Sequence, residues 1–216
     1  MKKIDWKILI ITCIFCLLPI LLGVAYYDDL PEQVAIHFDI NNNPDNYFIK
    51  PLFVYGFPVF MLLVQMFCAI VIDVSDKHRE ANRKISIVSK WIIPILSILL
   101  YTVTLLFNMN YLVDIRVYVM LIIGIMFMVI GNYIPKTVGT AYNKYRFKDE
   151  GVQKRLNKMI GYTFIIFGVM LIISVFFMPI ISAIVVAFCI FAMIVFSIYG
   201  YYEDKKAIRE KNKNKM

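Results

Sequence analysis

The residues of this chain best suited to binding chemistry lie in one polar segment, residues 28–51, between two long apolar runs. The segment holds a histidine, His37, with carboxylates close by at Asp39 and Asp45. Imidazole and carboxylate groups can share a hydrogen bond, bind a ligand or hold a metal ion. We expect His37 to hydrogen-bond Asp39 or Asp45, with ligand or metal binding as the alternatives.

The pattern of the segment predicts a strand followed by a turn. Apolar residues alternate from Val34 to Ile40, which is the period of an extended strand. Residues 41–44, Asn-Asn-Asn-Pro, are a strong turn signal because asparagine tolerates a positive φ. We expect this strand to fold back onto the membrane surface or onto the loop between the third and fourth apolar runs. The aromatic residues expected to anchor it at the interface are Phe38, Tyr47 and Phe48.

Signatures of catalysis are absent from the sequence. It has no HExxH, GxSxG or glycine-rich phosphate loop. Cys13 and Cys16 form a CxxC inside an apolar run, where thiols act mostly as small hydrophobic groups. We therefore predict no enzyme activity, no catalytic residue, no metal site and no cofactor.

The elements that position the polar segment are apolar runs of membrane-spanning length. With 61% hydrophobic residues among 216, the chain is too apolar for a soluble domain. About 20 apolar residues are needed to cross a bilayer as a helix. Six runs approach or exceed that length: Ile8–Tyr26, Leu52–Ile72, Trp91–Phe107 (extending as far as Val113), Val117–Ile134, Ile160–Phe177 and Ile180–Tyr199.

Polar residues are scarce in these six runs. None carries a charged side chain, which argues against an ion-coupled carrier. Gln65 and Asn132 are the main polar exceptions. Asp73, Asp114 and Arg116 lie at the edges of runs and are expected to be ordinary interfacial charges. Prolines in the first three runs predict kinked spans, at Pro19, Pro58 and Pro94.

The basic residues predict the orientation. Of the 23 lysines and arginines, all except Lys50 and Arg116 fall in the N-terminus, the second and fourth loops and the tail. Because such residues stay cytoplasmic, the chain is predicted to be an all-α polytopic membrane protein with both termini cytoplasmic. His37 and His78 then lie on opposite sides. The net charge of +8 is explained by this topology and by lipid contact, without direct nucleic-acid binding.

The predicted organisation has three two-span units. They are residues 1–72 with an extracellular loop at 28–51, residues 91–134 and residues 160–199, separated by cytoplasmic loops at 73–90 and 135–159 and followed by a basic tail at 200–216. The tail is expected to be disordered from Lys205 onward. A cleavable signal peptide ending near Ala25 is the alternative for the first span. Glycines seven residues apart predict a helix-packing seam at Gly124, Gly131, Gly161 and Gly168.

Two patches of the sequence carry a family resemblance. Leu30-Pro31, Ile36-His37-Phe38-Asp39, Asn41, Pro44-Asp45 and Lys50 resemble the pattern LPxxxxxHFxxxGxPDxxxxK of SdpI-like bacterial membrane proteins, with Asn42 at the usual glycine. Residues 131–135, Gly-Asn-Tyr-Ile-Pro, are similar to the GNxxP that opens the family's C-terminal region. Val152, Lys154, Asn157 and Gly161 resemble the segment leading into its next span. The family's GxRTPW is reduced to Tyr145-Arg146-Phe147.

The resemblance implies immunity against a secreted peptide toxin, and in some members signalling through a transcriptional repressor held at the membrane. The expected partners are the lipid bilayer, a peptide toxin outside and a repressor inside. The residues expected to contact the peptide are Pro31, His37, Asp39, Asn42, Pro44, Asp45, Tyr47 and Lys50. Those expected to signal on the cytoplasmic side are Asn132, Pro135, Arg146, Lys154 and Asn157.

Two questions stay open at this point, one about a loop and one about the whole protein. The loop from Lys136 to Lys158 either changes when the peptide binds or is a solvated linker. The whole protein is either an immunity protein or sensor, a transporter or pore, or an accessory subunit of a peptide exporter or a membrane-bound regulator.

Overall fold

A computed structural model describes residues 4–39, 41–75, 82–137 and 149–213. Within these residues, six helical segments are long and apolar enough to span a membrane, which confirms the predicted number of spans. Large apolar side chains such as Phe67 and Phe188 are exposed along them, as expected of helices surrounded by lipid. The orientation of the spans stays a prediction.

The elements follow one another as helices interrupted by one pair of strands. In chain order they are α1 (Trp6–Leu17), α2 (Pro19–Ala25), β1 (Gln33–Phe38), β2 (Pro44–Ile49), a π-helical turn (Leu52–Gly56), α3 (Phe57–Ser75), α4 (Arg83–Asn108), α5 (Ile115–Tyr133), a 3-10 turn (Ile134–Lys136), α6 (Glu150–Ser174) and α7 (Pro179–Lys213).

The chain divides into two compact units. The first unit comprises Met1–Ser75 and Ser86–Ile122, and the second unit comprises Asp76–Ile85 and Ile123–Met216.

Prolines shape the first two spans, as predicted. The first span is divided into α1 and α2 at Leu18, directly before Pro19. The second opens with the π-helical turn, in which the Phe57 N–H donates to the Leu52 carbonyl. Pro58 follows at once and lacks an N–H, so it cannot donate to Val54 and a regular α-helical start is not available there.

The core of the first unit lies beneath the strands. It consists of Leu30, Val34, Phe53, Val54, Tyr101 and Leu105. Phe53 and Tyr101 stack face to face, with ring centroids 4.5 Å apart. The strands are therefore packed on the π-helical turn and on the end of α4 rather than free of the helices.

In the second unit, the predicted glycine seam is present between α5 and α6. A Cβ added at Gly131 would lie 2.6 Å from the Gly161 carbonyl oxygen, and one at Gly168 would lie 2.6 Å from the Gly124 carbonyl oxygen. Both obstacles are backbone atoms, so only glycine permits this approach. These contacts confirm the helix-packing seam predicted from the seven-residue spacing.

The expectation of disorder from Lys205 onward is wrong for the described residues, because α7 continues to Lys213. Two contacts hold this extension against the start of α6. The Lys211 ammonium lies 2.6 Å from the Asp149 carboxylate, and the Asp149 N–H donates to Asp204. Lys211 and the Val152 N–H lower the pKa of Asp149, which caps α6. Composition alone did not reveal these tertiary contacts.

Candidate functional site

The polar segment forms a β-hairpin. β1 and β2 pair in antiparallel register, with Val34 opposite Phe48 and Ala35 opposite Tyr47. The strand predicted at residues 34–40 is confirmed over Val34–Phe38, and Ile40 lies outside the described residues. Its partner strand was not predicted, because β2 lacks the strict apolar alternation that marks β1.

Asp39 and Asn42 build the turn between the strands. The Asp39 carboxylate accepts hydrogen bonds from the backbone N–H groups of Asn41 and Asn43 and from the Asn43 side chain. The N–H and side chain of Asn43, more than the N–H of Asn41, lower the pKa of Asp39 by favouring its charged form. Asn42 has a φ of 66°, the left-handed conformation that the family pattern fills with glycine. Both residues therefore have structural roles in the turn.

Asn42 also ties the hairpin to the loop between α4 and α5. Its side chain donates to the Val113 carbonyl at 3.1 Å and accepts from the Ile115 N–H at 2.9 Å. Ile115 is the first residue of α5, where an unpaired N–H needs an acceptor. The strand was expected to pack either on the membrane surface or on the loop between the third and fourth spans. The contacts of Asn42 confirm the loop.

The outer edges of both strands are occupied by asparagine side chains. Asn108, the last residue of α4, accepts from the Ala35 N–H and donates to the Ala35 carbonyl. Since both polar groups of Ala35 point away from β2, Ala35 and Tyr47 form a non-hydrogen-bonded pair. The Tyr47 N–H then faces the outer edge of β2, where it donates to the Asn46 side chain. These contacts hinder the addition of a further strand at either edge.

Four exposed residues of the two strands, His37, Asp45, Asn46 and Tyr47, are together called the hairpin face. The His37 Nδ1 lies 2.5 Å from the Asp45 carboxylate. This contact confirms Asp45 as the partner of His37, in place of Asp39. Tyr47 is exposed beside the pair. A histidine, a carboxylate and an aromatic ring are thus presented together on a hairpin whose other side is packed on α4.

The remaining predicted ligand residues support the hairpin. Lys50 is buried, with its ammonium 3.0 Å from Glu32 and 5.1 Å from the centre of the Tyr27 ring. Pro31 is exposed just before β1, and Pro44 is the first residue of β2. Of the eight residues expected to contact a ligand, the hairpin face unites His37, Asp45 and Tyr47.

Two of the three expected interfacial anchors point inward instead. Phe38 packs edge-on against Phe107 of α4, with ring centroids 4.5 Å apart. Phe48 packs against the core of the first unit. The prediction was wrong for these two residues because the α4 end offers them a protein surface, whereas Tyr47 is exposed as expected.

The described residues assigned to cytoplasmic signalling lie in the second unit, mostly around the 3-10 turn. Asn157 donates from its amide to the Thr137 carbonyl and hydroxyl. The Pro135 ring occupies the space that a Cβ on Gly161 would need, so it packs directly on α6. Asn132 accepts from the Lys136 ammonium at 3.1 Å. Of the other two assigned residues, Lys154 is exposed and Arg146 lies outside the described residues.

A buried ion pair in the first unit was missed by the sequence reasoning. The Lys90 ammonium lies 2.7 Å from the Asp73 carboxylate, and both side chains are 1% exposed. Asp73 also accepts from the Asp5 N–H at 2.9 Å. The expectation of an ordinary interfacial charge at Asp73 is therefore wrong. Because α3 continues to Ser75 and α4 begins at Arg83, both charges lie within helical segments of spanning length.

Gln65 extends the ion pair into a polar cluster between α1, α3 and α4. Its amide donates to the Thr12 hydroxyl at 2.8 Å and to the Lys90 carbonyl at 2.9 Å. The Gln65 Oε1 is buried without a hydrogen-bond partner in the described part of the chain. We call Thr12, Gln65, Asp73 and Lys90 the polar cluster. The sequence indicated it at one position, where Gln65 interrupts an apolar run.

No group of three or more histidine, cysteine or carboxylate side chains that could hold a metal ion occurs among the described residues. Hairpin, helices and buried ion pair together define a multi-pass helical membrane protein with a small polar domain at one end of its first unit. The family model of a domain of unknown function, DUF1648, matches residues 14–62, which include the whole hairpin. This domain is found at the N-terminus of SdpI-like proteins. No curated protein and no solved structure matches the chain.

Proposed function

We propose that this protein recognises a secreted peptide at the outer surface of the bacterial cell membrane, as an immunity protein or sensor of the SdpI type and not as an enzyme. The observation that carries the proposal is the hairpin face, which presents the His37 and Asp45 pair beside the exposed Tyr47 on a packed support. The DUF1648 match covers this hairpin and supports the likeness to the SdpI family.

The position of the basic residues supports an external hairpin. Lysines and arginines are concentrated in the segments on the opposite side of the predicted topology, so residues 28–51 face outward in this proposal. A rigid hairpin also limits the entropy lost when a peptide binds. The cytoplasmic half of the proposal is transmission to the region around Pro135 and Asn157, where a repressor would be held.

A deletion strain tests the proposed function. Cells lacking the gene should become sensitive to a secreted peptide of their own or a neighbouring species, and the intact gene should restore protection. His37→Ala and Asp45→Ala should both reduce protection, because each removes half of the pair on the hairpin face. Full protection by both variants at normal protein levels would refute the assignment of the site.

The buried ion pair favours transport as a second candidate function. Ionisable residues inside spans are rare, and they often mark ion or proton pathways. Asp73 and Lys90 are such residues, and the nearby Gln65 Oε1 has no hydrogen-bond partner among the described residues. Proteoliposomes should then show peptide or ion flux that Asp73→Asn abolishes. No flux across a panel of ions and peptides would exclude this candidate.

A further inference from the structure

The acidic and basic residues at the hairpin end of the first unit differ sharply in exposure. Its two basic side chains are Lys50 and Arg116, which are 9% and 16% exposed. The carboxylates paired with them are more exposed to solvent: the Glu32 side chain is 87% exposed and the Asp114 side chain is 43% exposed. The positive charges are therefore covered and the negative charges face solvent.

Further exposed carboxylates lie on the hairpin face and in the segment that leads into the hairpin. Asp45 is 48% exposed. Asp28 and Asp29 are exposed just before the hairpin, and their side chains make no hydrogen bond or ion pair within the described residues. Tyr47 and Tyr111 are exposed on the same end of the unit, the latter in the loop that Asn42 ties to the hairpin.

We propose that the hairpin face is a docking surface for a cationic peptide. This inference rests on the proposed function and names the chemical class of its ligand. Lysine or arginine side chains would pair with the exposed carboxylates, and the faces of the exposed tyrosine rings attract the same cations. Among the described residues at this end, the lysine and arginine are both covered, and the exposed His37 is paired with Asp45, so few positive charges oppose such a peptide.

The mode of docking follows from the strand edges. Asn108 and Asn46 occupy the outer edges at Ala35 and Tyr47, so strand addition at these positions is hindered. Recognition then depends on side chains of the hairpin face. The selectivity of the protein for a peptide would then be set by charge pairing and aromatic contacts more than by hydrogen bonds to the peptide backbone.

The test uses the full-length protein in nanodiscs of zwitterionic lipid and two probe peptides. One probe alternates lysine with leucine and carries fluorescein; the other has glutamate in place of each lysine. The cationic probe should bind above the level of empty nanodiscs, and its association rate should fall by roughly tenfold from low to physiological salt. The acidic probe should not bind. Equal binding of both probes, or binding of neither, would overturn the inference.

Two variants locate the surface. Asp28→Asn with Asp29→Asn removes charge without removing an internal contact, and should weaken binding of the cationic probe by about threefold to tenfold. Tyr47→Ala should weaken it by about fivefold. Glu210→Gln, which removes one carboxylate charge at an exposed position of α7, is the control and should have no effect. Unchanged binding in the double variant would contradict the assignment.

The two proposals fail in different ways. If the deletion strain is sensitised to a peptide that proves neutral or acidic, the protein is an immunity protein and the cationic ligand class is wrong. If the cationic probe binds at the hairpin face but deletion sensitises cells to no peptide, the docking surface stands and the immunity function is wrong.

Discussion

Removing either charge of the buried ion pair should destabilise the first unit strongly. Asp73 and Lys90 are each 1% exposed, so neither charge is solvated by water once its partner is gone. Loss of one partner from a buried pair typically costs about 3–5 kcal/mol. We expect that loss in the free energy of unfolding for Asp73→Asn and for Lys90→Met.

The double variant separates the pair from its surroundings. Asp73→Asn keeps an oxygen that can accept the Asp5 N–H, and Lys90→Met keeps a long apolar side chain. Replacing both charges of a buried pair is often nearly neutral. The double variant should therefore lie within about 1 kcal/mol of the wild type, which gives a large favourable coupling energy in the mutant cycle.

Reversible unfolding in mild detergent measures these energies. Tryptophan fluorescence is a local probe, because Trp6 follows Asp5 and Trp91 follows Lys90, and the chain has only these two tryptophans. The control is Glu203→Gln in the ion pair with Arg155, whose side chain is 66% exposed, and a loss below about 1 kcal/mol is expected there. Single variants within that same margin, or additive effects in the cycle, would refute the importance of the buried pair.

Three further predictions concern the turn and the glycine seam. Asn42→Gly keeps access to positive φ but loses the hydrogen bonds to Val113 and Ile115, so the free energy of unfolding should fall by about 1–2 kcal/mol. An unchanged midpoint in thermal unfolding would argue against a stabilising role for these two hydrogen bonds. Gly168→Ala should lower the free energy of unfolding by about 1–3 kcal/mol, because the added Cβ would meet the backbone of α5. Gly151→Ala in the same helix is the control and should have little effect. Equal effects in the two variants would argue against the glycine seam. Because its pKa is lowered in the folded turn, charged Asp39 stabilises the turn above its ordinary pKa, and this contribution is lost as the pH falls below about 4. Hydrogen exchange at the Asn43 amide, corrected for intrinsic rate, should show that loss in the wild type and no pH dependence in Asp39→Asn; a pH-independent wild type would contradict it.

Patterns that depend on neighbouring residues in the chain were predictable. Apolar runs revealed six spans, Pro19 revealed a broken first span, and the asparagine run revealed a turn with Asn42 at positive φ. The glycine seam followed from helical periodicity. These features obey local rules of length, backbone conformation or period, so one sequence suffices to find them.

Features that depend on distant contacts were not predictable. Nothing local distinguishes Lys90, a buried partner of Asp73, from the solvated lysines of a cytoplasmic loop. The choice of Asp45 over Asp39 as partner of His37 depended on a second strand, and Asp39 was already committed to the turn. Asn108 gave no signal at all, because its contact with Ala35 joins residues far apart in the chain.

Photocrosslinking at the hairpin face tests the central claim most directly. A photoreactive phenylalanine in place of Tyr47 is introduced into living cells, which are then exposed to the secreted peptide that sensitises the deletion strain. The exposed Phe188 of α7 serves as the control position. We predict a crosslink to the peptide from position 47 and none from position 188. Equal crosslinking at both positions, or none at position 47 while the variant still protects the cells, would contradict recognition by the hairpin.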